Sequence, residues 1–196
     1  MKKLVYILSI VLLLLVFGIS AFFVGSYIIE SREQAQKQEE AAALKESLKA
    51  TIPPTVQTPE ETSAVPTFGA VEMRDENGML VEYATLKAEK YPDLAGWIRI
   101  DGTKIDYPVM QTPDNPNFYL KHDADGNASD WGAIYAREEC DLNEPSDNIT
   151  IYGHTMKDGS MFAVLHDYLD QQIWENNPLI FFDTLYDYHV YKIFAV

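Results

Sequence analysis

Cysteine is nearly absent: the 196 residues hold one, Cys140. A single cysteine cannot form an internal disulfide, so a cross-linked framework is excluded and no compartment follows from the thiol count. Positive charge is scarce as well. Fifteen Lys and Arg stand against thirty Asp and Glu, a formal net charge of −15. Nucleic acid is held through clustered Lys and Arg, so that class of partner is excluded, and an anionic lipid surface is a poor match. The chain also lacks a glycine-rich phosphate loop, a strand–helix–strand series and any internal repeat.

One absence is local. After Lys2 and Lys3, the run from Leu4 to Ile29 has no charged residue over 26 positions, and about 20 suffice to cross the hydrocarbon core of a bilayer. Cleaved leader peptides have a shorter apolar region and a small-x-small cleavage site. The tail of this run, Ala21-Phe22-Phe23-Val24-Gly25-Ser26, fits such a site poorly. The run therefore predicts an uncleaved single-pass anchor over 4–29. The two lysines place residues 1–3 in the cytoplasm and the remainder outside the cell membrane.

Residues 30–78 divide into two accessory stretches. Ser31 to Ala50 is rich in Glu, Gln, Ala and Lys and predicts a polar helix continuing outward from the membrane, or a charged spacer; it has no broad apolar stripe and is not expected to pack tightly. Thr51 to Pro66 contains Pro53, Pro54, Pro59 and Pro66 and has the composition of an extended linker. A folded domain is expected over 79–196. Leu80, Tyr83, Leu86 and Ala88 recur at helical spacing until Pro92. Gly96 to Ile100 alternates as a strand, Asp101-Gly102 turns, and Ile105 to Met110 forms a second strand. Short strands follow at Gly132 to Tyr135 and Asn148 to Tyr152. Ser160 is placed to cap a helix carrying Met161, Phe162, Leu165 and Leu169, and a short helix spans Gln171 to Asn176. Leu179 to Phe182 and Tyr188 to Ala195 are strand-like. Short spaced strands with interposed helices predict a mainly β domain, a barrel or sandwich. The apolar ending Ile193-Phe194-Ala195-Val196 would leave a bare edge strand, so a fragment of a longer domain is expected.

The stretch Asn148-Ile149-Thr150-Ile151-Tyr152-Gly153-His154 delivers a histidine at the end of an apolar strand, before a loop. Rigid scaffolds present reactive groups at such strand ends, and imidazole is the side chain most readily set to move protons near neutral pH. A lone histidine in this position is also commonly structural, and spacing alone does not decide between the two.

The run Tyr152-Gly153-His154-Thr155-Met156-Lys157-Asp158-Gly159-Ser160-Met161-Phe162 closely resembles the histidine motif of class B sortases. Leu94-Ala95-Gly96-Trp97-Ile98-Arg99-Ile100, Ile105-Asp106-Tyr107-Pro108-Val109, Asn117-Phe118-Tyr119-Leu120 and Gly132-Ala133-Ile134-Tyr135 resemble the same family's earlier strands, in the family's order. The resemblance covers roughly Leu80 to Val196. It implies an eight-stranded β-barrel with added helices, incomplete here. It also implies a cysteine transpeptidase on the outside of a Gram-positive cell, which cuts the C-terminal sorting signal of secreted proteins. The resulting thioester is resolved by an amine, from a peptidoglycan precursor or a pilin. By the same resemblance His154 is the catalytic histidine, Tyr152 and Leu120 are substrate contacts, and no cofactor or metal takes part.

The family's nucleophile follows a Thr-Leu-x-Thr-Cys motif, with an arginine on the next strand, and neither motif occurs in these 196 residues. Cys140, within Arg137-Glu138-Glu139-Cys140-Asp141 and ahead of the histidine, is a poor substitute: three neighbouring carboxylates oppose the charge of a nucleophilic thiolate. An incidental loop cysteine is expected. His122-Asp123-Ala124-Asp125-Gly126-Asn127 hints at calcium, but the loop template needs Gly sixth and Glu twelfth, and Ala128 and Ile134 stand there. A polar turn is expected. His166 and His189 sit beside aromatics and predict packing or surface roles.

Two functions remain in view: a class B cell-surface transpeptidase, with a pilin-polymerising sortase as its nearest variant, and a membrane-tethered extracellular domain without chemistry. The coding sequence beyond the codon for Val196 separates them. The uncharged run makes its own prediction. Expressed in a bacterium, the chain fractionates with membranes, and protease added outside protoplasts removes everything after the anchor. Protection of the domain in intact protoplasts would overturn the topology.

Overall fold

The computed structural model describes residues 2–51, 73–144 and 146–196. The first helix, α1, runs unbroken from Lys2 to Thr51. Among the described residues it is the one helix long and apolar enough to cross a membrane, and its apolar window buries nothing. Leu13, Phe17 and Phe22 all project outward. Contacts divide the chain into two units, 1–37 and 38–196. The proline-rich stretch predicted over Thr51 to Pro66 lies outside the described residues, apart from the helical backbone of Thr51.

The second unit is built on a six-stranded sheet. Its strands are β1 (Leu94–Arg99), β2 (Asp106–Met110), β3 (Ile134–Ala136), β4 (Ile151–Tyr152), β5 (Leu179–Thr184) and β6 (Tyr188–Lys192), in the order β4-β3-β2-β1-β5-β6. All neighbours are antiparallel except β2 and β3. A parallel pair cannot be joined by a tight turn, so the chain from Gln111 to Ala133 makes a long crossover. The β1–β2 connection is tight. Gly102 takes φ +76° there, and the Ile100 N–H donates to the Ile105 carbonyl at 2.9 Å.

β1 is covered on both faces. Trp97 is fully buried against Leu80, Tyr83 and Leu86 from α2 (Val81–Glu89) and its approach. Its neighbour Ile98 points the other way, into a cleft of about 550 Å³ shared with Ile105, Phe162 and Phe182. Ile151 and Tyr191, from opposite edges of the sheet, line the same cleft. A sheet whose two edges face one cavity is curled, as a partial barrel requires.

Three expectations are corrected. Residues 38–51 of α1 do pack. Ala41 and Lys45 are buried, and Leu44 and Leu48 lie against the core. The stripe Ala41–Leu44–Lys45–Leu48 has helical spacing, but it is narrow and contains a lysine. The predicted helix from Ser160 is a 3-10 helix over Ala163–Leu169, with Leu169 exposed. Ser160 does not cap it. Its hydroxyl donates to Asp158 at 2.6 Å, and Met161 takes φ +56°, breaking the helical path. Ala88 is exposed; α2 buries Glu82, Tyr83 and Leu86, with Leu80 buried just ahead of it. The short helix is found as predicted: α3 spans Gln171–Asn176, capped by Asp170.

Lys45 binds this arrangement together. Its ammonium lies 3.5 Å from Asp183 on β5 and 4.7 Å from the centroid of Trp97. Asp183 also accepts the Tyr83 hydroxyl at 2.5 Å. Both charges are largely out of water, at 7% and 14% side-chain exposure. Removing one partner of a buried pair strands the other, so Lys45→Ala should cost about 3 kcal/mol. Lys45→Met combined with Asp183→Asn should recover most of that loss, because the apolar stem and the Tyr83 bond survive. Thermal melts of the three proteins decide this, and an unchanged Lys45→Ala melt would refute it.

Burial also sets the alkaline limit. It raises the phenols of Tyr83, Tyr91 and Tyr119, and pushes Tyr107 up to about 12. The folded chain therefore holds these protons longer than the unfolded chain, and stability falls once pH passes the free phenol value of about 10. Lys45 works oppositely. Burial lowers its ammonium from 10.5, so between that lowered value and 10.5 stability rises with pH. Burial lowers Lys87 as well and raises Tyr135 and Tyr168, so six phenols stand against two amines. The melting temperature of residues 38–196 should drop steeply from about pH 10 to about pH 11, and a flat profile would contradict the buried phenols.

Candidate functional site

β4 ends at Tyr152, and His154 follows through Gly153. A Cβ on Gly153 would come within 2.4 Å of Ile134 Cδ1 and 2.7 Å of Phe162 Cδ2, so the strand leaves the sheet between these two apolar groups. The loop after His154 folds back at once. Thr155 bridges Met161, the Phe162 N–H donates to the His154 carbonyl at 2.8 Å, and the Met161 N–H donates to the Tyr107 hydroxyl at 2.9 Å. Fixing both sides of the loop fixes the backbone that carries the imidazole.

The ring meets the long crossover. His154 Nε2 lies 2.8 Å from the Leu120 carbonyl oxygen. Leu120 closes a 3-10 turn, Phe118–Leu120, entered through Asn117 at φ +62°. Tyr119 nails the turn down: its ring is in the core and its hydroxyl donates to Asp93 at 2.8 Å. Phe118 stacks on His122 at 3.9 Å. Trp131, next to Gly132, donates from Nε1 to Ser160 at 3.1 Å and Asp158 at 3.2 Å, tying the crossover to the loop after His154.

Tyr152 is 39% exposed and Leu120 is 41% exposed. The Tyr152 ring packs on Tyr135 at 5.3 Å, and the Tyr135 hydroxyl donates to Asn117 at the start of the turn at 3.2 Å. The three residues singled out in the sequence, His154, Tyr152 and Leu120, thus stand along one linked surface: a half-exposed imidazole with an apolar group on each of the two elements that flank it.

Cys140 is not brought there. Its sulfur takes the Thr150 N–H at 3.3 Å and lies 3.7 Å from the Asn148 carbonyl, and it borders a different hollow with Gln111 and Tyr186. The Asp123 segment is a turn. The carboxylate accepts the Asp125 and Asn127 N–H groups at 3.1 and 2.9 Å, with Gly126 at φ +80°. His166 Nε2 lies 3.4 Å from the Thr155 hydroxyl, and His189 stacks near Tyr191 on β6. Sequence reasoning missed Gly132 as a neighbour of the imidazole and Phe162 as the partner of the His154 carbonyl. A glycine two residues before a strand was the available signal for the first.

No family model matches the chain. Over 106 residues it is 42% identical to sortase B of Listeria monocytogenes, and over 103 residues 35% identical to sortase B of Staphylococcus aureus. Each match covers 53% of this chain and 42% of the relative, so the chain spans less than half the length of the curated relatives it matches. Among solved structures, a Bacillus anthracis protein described as similar to sortase B aligns at 26% identity with a TM-score of 0.66, covering 84% of this chain and 66% of that one. A Staphylococcus aureus sortase B–substrate complex aligns with a TM-score of 0.68 over 85% of this chain and 66% of that one, at 24% identity, a likeness of fold.

Proposed function

We propose, from the premise that this chain belongs to the class B sortases, that it serves a membrane-anchored transpeptidase acting at the cell surface, with His154 as its proton-transfer group. The observation that carries this reading is the placement of His154: an imidazole at a strand end, half exposed, braced by its own loop and by the Leu120 carbonyl, 2.8 Å away. Tyr152 and Leu120 would contact the sorting signal, and α1 would hold the domain where secreted substrates emerge.

In this chemistry a thiolate adds to the scissile carbonyl, and a cationic arginine stabilises the oxyanion that develops. The imidazolium gives its proton to the departing amine as the C–N bond breaks, leaving a thioester and a neutral imidazole. The imidazole then takes a proton from the incoming cell-wall or pilin amine as that amine displaces the thiolate. The cysteine and arginine come from motifs that these 196 residues do not contain. Cys140, bonded toward Thr150 and Asn148, stays outside the reaction.

The test uses a protein that carries this chain together with the family's cysteine and arginine motifs. His154→Ala should lower cleavage of a sorting-signal peptide by about 10²–10⁴-fold or more. Cys140→Ala should retain most of the activity. Inactivation by Cys140→Ala with His154→Ala still active would overturn the assignment. Inertness of the otherwise intact protein toward every sorting peptide would favour a tethered, non-catalytic domain.

A further inference from the structure

We infer that the Leu120 carbonyl, admitted to the imidazole by the missing side chain of Gly132, is a positioning group that fixes His154 as the Nε2–H tautomer and reserves Nδ1 for proton exchange. The inference rests on the reading of His154 as the proton-transfer group. It adds which nitrogen acts and which residues make the choice.

The first step is donor–acceptor chemistry. A backbone carbonyl has lone pairs and no hydrogen to give, so the ring nitrogen 2.8 Å from the Leu120 oxygen must carry the proton between them. A neutral imidazole carries one N–H. With that hydrogen on Nε2, the lone pair is on Nδ1, which among the described residues has no protein partner. In the cationic form the added proton sits on Nδ1, while Nε2–H stays bound to Leu120. The ring then delivers its proton from Nδ1 and accepts one there, without rotating.

The second step is why that oxygen is where it is. The Tyr119 carbonyl accepts the Ala133 N–H at 2.9 Å, which draws the 3-10 turn against the start of β3. A Cβ on Gly132 would lie 2.6 Å from the Tyr119 oxygen, 2.8 Å from the Leu120 oxygen and 3.2 Å from His154 Cδ2. Gly132 also takes φ +62°, a conformation that L side chains resist. Three groups of the site therefore converge on the volume that any side chain at position 132 would fill. Two of them are backbone oxygens held by the turn, so relief would fall on the imidazole and on its bond to Leu120.

Gly126 supplies the control. It has φ +80°, close to the same left-handed conformation, with nothing within 4 Å of a would-be Cβ. Gly126→Ala thus carries the backbone penalty without the intrusion.

The experiment is long-range ¹H–¹⁵N correlation NMR of the imidazoles in the ¹⁵N-labelled full chain in detergent micelles, above the histidine titration. The chain has four histidines, and His154→Asn assigns the signal. In the wild-type chain, His154 should show a pyrrole-type Nε2 and a pyridine-type Nδ1. Gly132→Ala should shift this signal toward the mixed tautomers of a free imidazole, whereas Gly126→Ala should leave it unchanged. A wild-type His154 with its neutral-form hydrogen on Nδ1 overturns the inference. So does an identical response to the two alanine substitutions. If Gly132→Ala does not fold, the wild-type tautomer still decides the matter. The readout needs neither thiol nor substrate. An Nε2–H tautomer in a protein whose His154→Ala variant remains active would refute the functional reading alone, whereas an Nδ1–H tautomer in a protein that His154→Ala inactivates would refute this inference alone.

Discussion

The arrangement depends on β1 being buried on both faces and paired on both edges. Trp97 faces α2 and residues 38–51 of α1, Ile98 faces the cleft, and β2 and β5 take the two edges. A strand in that position leaves no polar backbone group unpaired, and it makes every neighbouring element answer to its register. The Trp97 indole donates to Asp106 on β2 at 2.6 Å, and Asp183 on β5 stands opposite it in the pairing. Lys45 closes this girdle from above, held to Asp183 and to the Trp97 ring.

The site inherits its geometry from the same register. β2 accepts β3 in parallel on its outer edge, and a parallel neighbour demands a crossover. The crossover carries Asn117 to Leu120 and then Gly132, and β3 in turn pairs with β4, which ends beside His154. The histidine and the carbonyl that meets it thus come from segments far apart in the chain, joined by one strand pairing.

Much of this was legible in the sequence. Alternation marked β1 and β2, and Asp101-Gly102 marked their turn. The spacing of Leu80, Tyr83 and Leu86 marked the buried face of α2. His154 stood out because a glycine and an apolar strand precede it. What stayed hidden has physical causes. Ala41 and Lys45 do not look like core residues, because a lysine is buried only when a carboxylate such as Asp183 waits for it, and that partner is distant in sequence. The loop at Met161 depends on a left-handed residue of a type that seldom adopts that conformation. The Leu120 carbonyl belongs to the backbone, and no residue type announces where a backbone oxygen will point.

The pairing of β1 with β5 bears on the order in which the chain assembles. The β1–β2 hairpin joins near neighbours and closes early, at small entropic cost. Gly96 meets Thr184 only after the whole intervening chain, crossover and histidine loop included, has been gathered in. Pairings of such long range form slowly, because the loop must be ordered before its contacts return anything. His154 and Leu120 both lie inside that loop. Their contact spans a much shorter separation than the β1–β5 pairing, so the same entropic ordering lets the histidine meet its carbonyl before β1 meets β5.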